Sequence, residues 1–118
     1  MSKHVLIVDD DQEGRDALRA FLGSWGYEVA VAADGREGIR VALEHRPDVV
    51  LLDIHLPDMD GYEVARRIRA AGDAPSLVAF TGSNDERAGD GTFDAYVLKA
   101  TDPEALRLVV ERALTVRA

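Results

Sequence analysis

Five short apolar runs alternate along the chain with longer amphipathic stretches. The runs are Val5-Leu6-Ile7-Val8, Glu28-Val29-Ala30-Val31-Ala32, Val49-Val50-Leu51-Leu52, Leu77-Val78-Ala79-Phe80 and Ala95-Tyr96-Val97-Leu98. An unbroken apolar run of this length predicts a strand buried on both faces, as in a parallel sheet covered by helices. The second run alternates instead, as a partly exposed edge strand does. Between the runs, apolar residues recur at spacings of three and four. Gln12 to Trp25 is a predicted helix with Ala17, Leu18, Phe21, Leu22 and Trp25 on one face. Gly35 to His45 groups Ile39, Ala42 and Leu43, and Pro47 ends it. Gly61 to Ala71 turns Val64, Ala65 and Ile68 inward and leaves Arg66, Arg67 and Arg69 as a solvated face. A last helix starts at a Thr101 or Asp102 cap, with Pro103 in its first turn and Glu104 complementing the helix dipole. Its inner face is Leu106, Val109, Val110 and Ala113.

The stretch from Asn84 to Gly91 has no apolar stripe and contains Gly89 and Gly91. Each interior glycine costs about 1 kcal/mol relative to alanine. A short or frayed fourth helix is expected there, and Ser83 to Thr92 is expected to be the most mobile internal stretch. Right-handed crossovers turn the whole pattern into an α/β fold with an open, doubly wound (βα)5 parallel five-stranded sheet. The order 2-1-3-4-5 fits, because the second strand reads as the edge. In such sheets ligands bind beyond the carboxyl ends of the strands, where the order reverses.

Composition narrows the function. The 118 residues suit a single domain, 1–118. A net charge of −8 without a basic patch argues against nucleic-acid binding. The absence of cysteine excludes disulfides, thiolate metal sites and thiol catalysis. Neither a membrane-spanning run nor a signal-peptide pattern is visible, so a cytoplasmic location is expected.

The chemistry gathers where the strands stop. Asp9-Asp10, Asp53, Thr81 and Lys99 each follow or end an apolar run. In a parallel sheet these ends share one edge, so three carboxylates, a hydroxyl and an ammonium are brought together. Two like charges ~4 Å apart repel by about 4 kcal/mol at an effective dielectric near 20. A hard divalent cation such as Mg²⁺ or Mn²⁺ offsets that repulsion through oxygen ligands. Metal, ammonium and hydroxyl aimed at one carboxylate suit phosphoryl transfer, with the carboxylate itself as nucleophile. Asp53, which follows the central strand, is the strongest candidate.

Val5 to Asp11, Val50 to Gly61, Phe80-Thr81-Gly82 and Tyr96 to Lys99 together resemble the receiver domain of two-component response regulators, over the whole chain. The resemblance implies the same flavodoxin-like strand order. It implies that Asp53 accepts a phosphoryl group from a phosphohistidine. Asp10, assisted by Asp9, would bind Mg²⁺ together with Asp53 and the backbone carbonyl of His55. Thr81 and Lys99 would contact the phosphoryl oxygens, and Thr81 and Tyr96 would form the switch pair. The implied partner is a sensor histidine kinase or a histidine phosphotransfer protein, with neither nucleic acid nor membrane involved. The implied role is a signalling switch that catalyses its own phosphorylation and dephosphorylation and is not a turnover enzyme. A monomer is expected, with a weak dimer as the alternative.

Two departures stand out. Ala100 follows Lys99 where the family usually has a proline after a cis bond, so a trans bond is expected here. Thr81 and Lys99 are 18 residues apart, about one helical turn (~3.6 residues) closer than the family's usual interval. Two rival functions are a phosphatase of the haloacid-dehalogenase type, from the Asp-x-Asp spacing in Asp9-Asp10-Asp11, and a flavodoxin. The first expects Thr or Val where Gln12 stands. The second needs a phosphate loop that three aspartates would repel. Of the remaining residues, Asp11 reads as a helix cap, His55 as a bystander, His4 and His45 as surface residues, and Trp25 as packing.

Overall fold

A computed structural model describes residues 3–82, 91–99 and 101–117. The elements run β1 (His4–Val8), α1 (Gln12–Ser24), β2 (Glu28–Ala32), α2 (Gly35–His45), β3 (Val49–Leu52), α3 (Gly61–Ala70), β4 (Ser76–Thr81), β5 (Ala95–Leu98) and α4 (Pro103–Arg117). All five strands pair in parallel in the order β2-β1-β3-β4-β5, as expected. The central strands β1, β3 and β4 are buried almost throughout, whereas β2 and β5 are half-buried edges. β4 is longer than its apolar run, because Ser76 and Thr81 join the ladder at its two ends.

Side chains on each strand alternate between two packed layers, as the period of two requires. Leu6 and Val8, Val50 and Leu52, and Leu77 and Ala79 pack with α2 and α3 on one face. Val5 and Ile7, Val49 and Leu51, and Val78 and Phe80 pack with α1 and α4 on the other. Each fully buried leucine or valine contributes about 1.5–3 kcal/mol over an exposed one, so the sheet is held from both sides.

Each helix starts at an aspartate that bonds an otherwise unpaired amide of its first turn. Asp11 accepts from Gly14 N, Asp34 from Glu37 N, Asp60 from Tyr62 N and Asp102 from Glu104 N. Such a cap is worth about 1 kcal/mol. The expected cap at Asp11 is thus present, and Asp102 rather than Thr101 caps the last helix.

Three expectations about helix faces need correction. On α1 only Leu18 and Leu22 are buried, while Ala17 is exposed and Phe21 is 44% exposed. On α2 Leu43 is 46% exposed, and the buried face is Gly35, Gly38, Val41 and Ala42. Gly38 was passed over because glycine carries no hydrophobic signal. It is buried because a Cβ there would lie 2.9 Å from both methyl carbons of Val8. On α3 Arg69 does not belong to the solvated face. It donates to Thr92 O (3.0 Å) and to Asp94 Oδ2 (3.1 Å), tying α3 to the chain just before β5. Arg66 and Arg67 are exposed as expected and pair with Glu63.

The frayed fourth helix and the mobile Ser83 to Thr92 stretch fall on residues 83–90, outside the described residues apart from Gly91 and Thr92. The Lys99–Ala100 bond also lies outside them.

Candidate functional site

The sheet ladder runs one residue past the ends of its strands, and this places the acidic groups. Asp9 N donates to Ala32 O (3.1 Å), and Asp53 N donates to Val8 O (2.9 Å). Asp9 and Asp53 therefore sit on the carboxyl edge at β1 and β3, where the strand order reverses. Lys99 N donates to Thr81 O (2.8 Å), which sets the lysine beside the end of β4.

Asp9, Asp10 and Asp53 each offer a carboxylate oxygen, and these three atoms lie within 4.8 Å of one another. Asp9 and Asp53 are buried and Asp10 is exposed, so the cluster has a solvent-facing mouth. The Lys99 ammonium lies 2.7 Å from Asp9 Oδ2 and 3.2 Å from Asp53 Oδ2. The remaining oxygens of the buried pair are held by main chain. Asp11 N donates to Asp9 Oδ1 (3.0 Å) and His55 N donates to Asp53 Oδ1 (3.1 Å). Arg15 of α1 donates to the Asp9 carbonyl (2.7 Å), adding a second cation near the β1 end.

Burial pushes the Asp53 carboxyl above its ordinary pKa. The His55 N–H and the Lys99 ammonium oppose the shift without cancelling it, and the Asp9 charge adds to it. Burial also disfavours the charge on Lys99. The hydrogen bond to Asp9 and the charges of Asp53 and Asp9 outweigh that, and its pKa is raised. Asp53 has the longer of the two ammonium contacts, so it gains less from the lysine than burial takes away.

Two hydroxyls complete the region. Thr81 Oγ1 is buried and has no hydrogen-bond partner among the described residues. A buried orphan hydroxyl costs about 1–3 kcal/mol, so this donor is set beside the site at a cost. Tyr96, one strand over, also has a buried hydroxyl without a partner among the described residues. Its ring is half-buried against Phe93 (5.5 Å between centroids) and Tyr62 (6.5 Å). Burial, and then the charge of Asp60, raise the pKa of this phenol.

The β3–α3 loop closes over Asp53. Gly61 N donates to Ile54 O (2.8 Å), and a Cβ on Gly61 would lie 2.5 Å from Asp53 O and 2.6 Å from Ile54 Cα. Only glycine allows that approach of backbone to backbone. His55 is exposed, as are His4 and His45. His4 bonds Glu28 (2.9 Å), far from the site at the opposite edge of the sheet. Trp25 packs at the end of α1 against Phe21, with Arg107 over its ring.

The expected site residues Asp9, Asp10, Asp53 and Lys99 thus converge, and Thr81 ends the adjacent strand. Sequence reasoning missed Arg15 and Asp58. The latter, from the β3–α3 loop, accepts hydrogen bonds from Gly35 N and Arg36 N.

The model of the response regulator receiver domain matches residues 5–111. Response regulator MprA of Mycolicibacterium vanbaalenii is 39% identical over 116 residues, covering 95% of this chain and 49% of that protein. Regulatory protein VanRB of Enterococcus faecalis is 39% identical over 115 residues, covering 95% of this chain and 51% of that protein. The crystal structure of a CheY-like response regulator receiver domain protein from Methanospirillum hungatei is 29% identical. It superposes with a TM-score of 0.90 over 99% of this chain and 97% of that one. The chain belongs to the response regulator receiver domain family of two-component signalling. It spans about half the length of these curated relatives. Family membership sets aside the phosphatase and flavodoxin readings. No helix among the described residues is long and apolar enough to cross a membrane.

Proposed function

We propose that Asp53 is the phosphoacceptor of this receiver domain. A carboxylate oxygen of Asp53 attacks the phosphorus of a phosphohistidine, the P–N bond breaks, and the imidazole leaves with the bonding pair and takes up a proton. The reading rests on one observation: a buried aspartate at the reversal of strand order, bonded by Lys99 and flanked by two further aspartates.

The donor set suits a hard divalent cation. Three carboxylates and one ammonium leave the cluster at −2 among the described residues, and oxygen ligands match Mg²⁺ or Mn²⁺. Asp10, Asp9 and Asp53, with the His55 carbonyl, would hold the ion. When bound, it supplies positive charge that lets a phosphoryl dianion approach three carboxylates. Lys99, already on Asp53 Oδ2, takes a phosphoryl oxygen once the carboxylate has become an acyl phosphate. Thr81 turns its hydroxyl, unpartnered among the described residues, to a second oxygen, and Tyr96 responds to the space that Thr81 vacates.

The phosphoryl donor is a histidine kinase or a histidine phosphotransfer protein. The chain acts in the cytoplasm as one domain and as a switch, catalysing its own modification without steady turnover. The test is incubation of the protein with acetyl phosphate and Mg²⁺. A hydroxylamine-labile phosphoryl adduct is expected in the wild type and absent in Asp53→Asn. Equal labelling of the variant overturns the assignment.

A further inference from the structure

The β3–α3 loop carries the His55 carbonyl, yet it is fastened to a helix outside the acidic cluster. Gly35 N donates to Asp58 Oδ1 (2.7 Å) and Arg36 N donates to Asp58 Oδ2 (2.9 Å). The next amide, Glu37 N, bonds Asp34 Oδ1 (2.8 Å), and Gly38 N makes the first intrahelical bond, to Asp34 O (3.0 Å). Two of the three amides that the first turn of α2 cannot satisfy itself are therefore satisfied by a carboxylate from another loop. The joint is close-fitting. A Cβ on Gly35 would lie 2.4 Å from Met59 Cγ, 2.9 Å from Val64 Cγ2 and 3.1 Å from Asp58 Oδ1. The Gly35 N–H is the main cause of a lowered Asp58 pKa, as expected for a carboxylate on a helix amino terminus.

The rest of the loop is pinned near its ends. His55 N is on Asp53 Oδ1, His55 and Asp60 form an antiparallel bridge, and Gly61 N is on Ile54 O. Between these pins Leu56 and Met59 pack against the core, Pro57 and Asp58 are exposed, and Asp58 ties this crest to α2. We propose that Asp58 is a positioning residue for the metal site, because its two bonds to the first turn of α2 fix the loop that presents the His55 carbonyl. The inference rests on the metal-binding reading above. The peptide that ends at the His55 carbonyl is three residues from the clasp, so releasing the clasp frees it to rotate away from the cluster.

Partners that orient a metal ligand are typically worth about 10–100-fold in affinity. A tether acting three residues from the ligand is expected at the low end, about 10-fold. The test titrates Mg²⁺ by calorimetry into wild type, Asp58→Ala, Asp58→Asn, Asp34→Ala and Asp10→Asn, and follows amide exchange in the metal-free proteins. Asp34→Ala removes a cap from the same helix terminus, a bond made within α2 to Glu37 N, and leaves the two Asp58 bonds in place. Asp58→Ala is expected to weaken Mg²⁺ about 10-fold and to speed exchange across residues 55–59. Asp58→Asn, which keeps one acceptor oxygen, should fall between it and wild type. Asp34→Ala should match wild type in both readouts while losing thermal stability. Wild-type affinity in both Asp58 variants overturns the proposal. Equal weakening in Asp34→Ala also overturns it, because loss of helix stability would then suffice. Unchanged affinity in Asp10→Asn overturns the metal-site reading itself. A weakened Asp10→Asn beside unchanged Asp58 variants removes only the role of Asp58.

Discussion

Replacing Lys99 with methionine keeps the apolar stem and removes the charge that two buried carboxylates share. The Asp9 and Asp53 side chains are 3% and 7% exposed, and that of Lys99 is 31% exposed. Removing one partner of a buried ion pair costs about 3–5 kcal/mol. Solvent at the lysine, and proton uptake by Asp53, lower that to about 2 kcal/mol here. An unfolding entropy of about 2.1 cal/mol/K per residue makes this a fall in Tm of about 8 °C for metal-free Lys99→Met. The deficit depends on pH. A carboxyl with a raised folded pKa contributes stability that is complete below its unfolded value of 3.8 and lost as pH rises through the folded value. Without the ammonium the Asp53 pKa rises further, so the deficit is small in mild acid and grows toward neutrality. Added Mg²⁺ should raise the Tm of the variant more than that of wild type, because the ion and the ammonium compete for the same oxygens. Calorimetric melts at several pH values, with and without Mg²⁺, measure all three effects. A metal-free variant as stable as wild type, with an equal Mg²⁺ increment, would show that Lys99 does not carry the charge balance of the cluster.

Tyr96→Phe deletes a buried hydroxyl that has no partner among the described residues, so Tm should hold or rise by the equivalent of up to about 1 kcal/mol, and a fall in Tm contradicts the packing described. Gly61→Ala drives a Cβ into the Asp53 carbonyl and Ile54 Cα, and denaturant melts should show a loss of about 3 kcal/mol or more together with failure to label with acetyl phosphate. Arg69→Met removes the bonds to Thr92 O and Asp94 Oδ2 on a partly exposed surface, so chemical denaturation should register a loss of about 1 kcal/mol with labelling of Asp53 unchanged.

The sheet was legible because its signal is local. Val49 to Leu52 and Ala95 to Leu98 are continuous and apolar, and each makes the strand its pattern predicts. The acidic cluster was legible for the same reason: once the strands are parallel, their last residues must meet. What escaped depends on pairings distant in sequence. Asp58 and Gly35 are 23 residues apart, and nothing near either marks a carboxylate that leaves its own loop to cap another helix. Arg69 has the same spacing from Thr92 and sits in an arginine-rich stretch that looks solvated until β5 is placed. The helix faces slipped because apolar residues outnumber buried places. Phe21 and Leu43 fit the period but point past the sheet, while Gly38 fits under Val8 without any hydrophobic signature.

The two layers of the core meet the site through neighbouring residues of single strands. On β5, Tyr96 packs into the layer of α2 and α3, and Val97 packs into the layer of α1 and α4. On β4, Ala79 and Phe80 divide in the same way. The sheet therefore acts as an insulator between two half-cores. Substitutions on opposite faces share few contacts and should combine additively, whereas those within one face should not. The insulation stops at the carboxyl edge: Asp9 and Lys99 share a cavity with Leu18, Phe21 and Leu106, so substitutions on the α1–α4 face are expected to reach the acidic cluster directly.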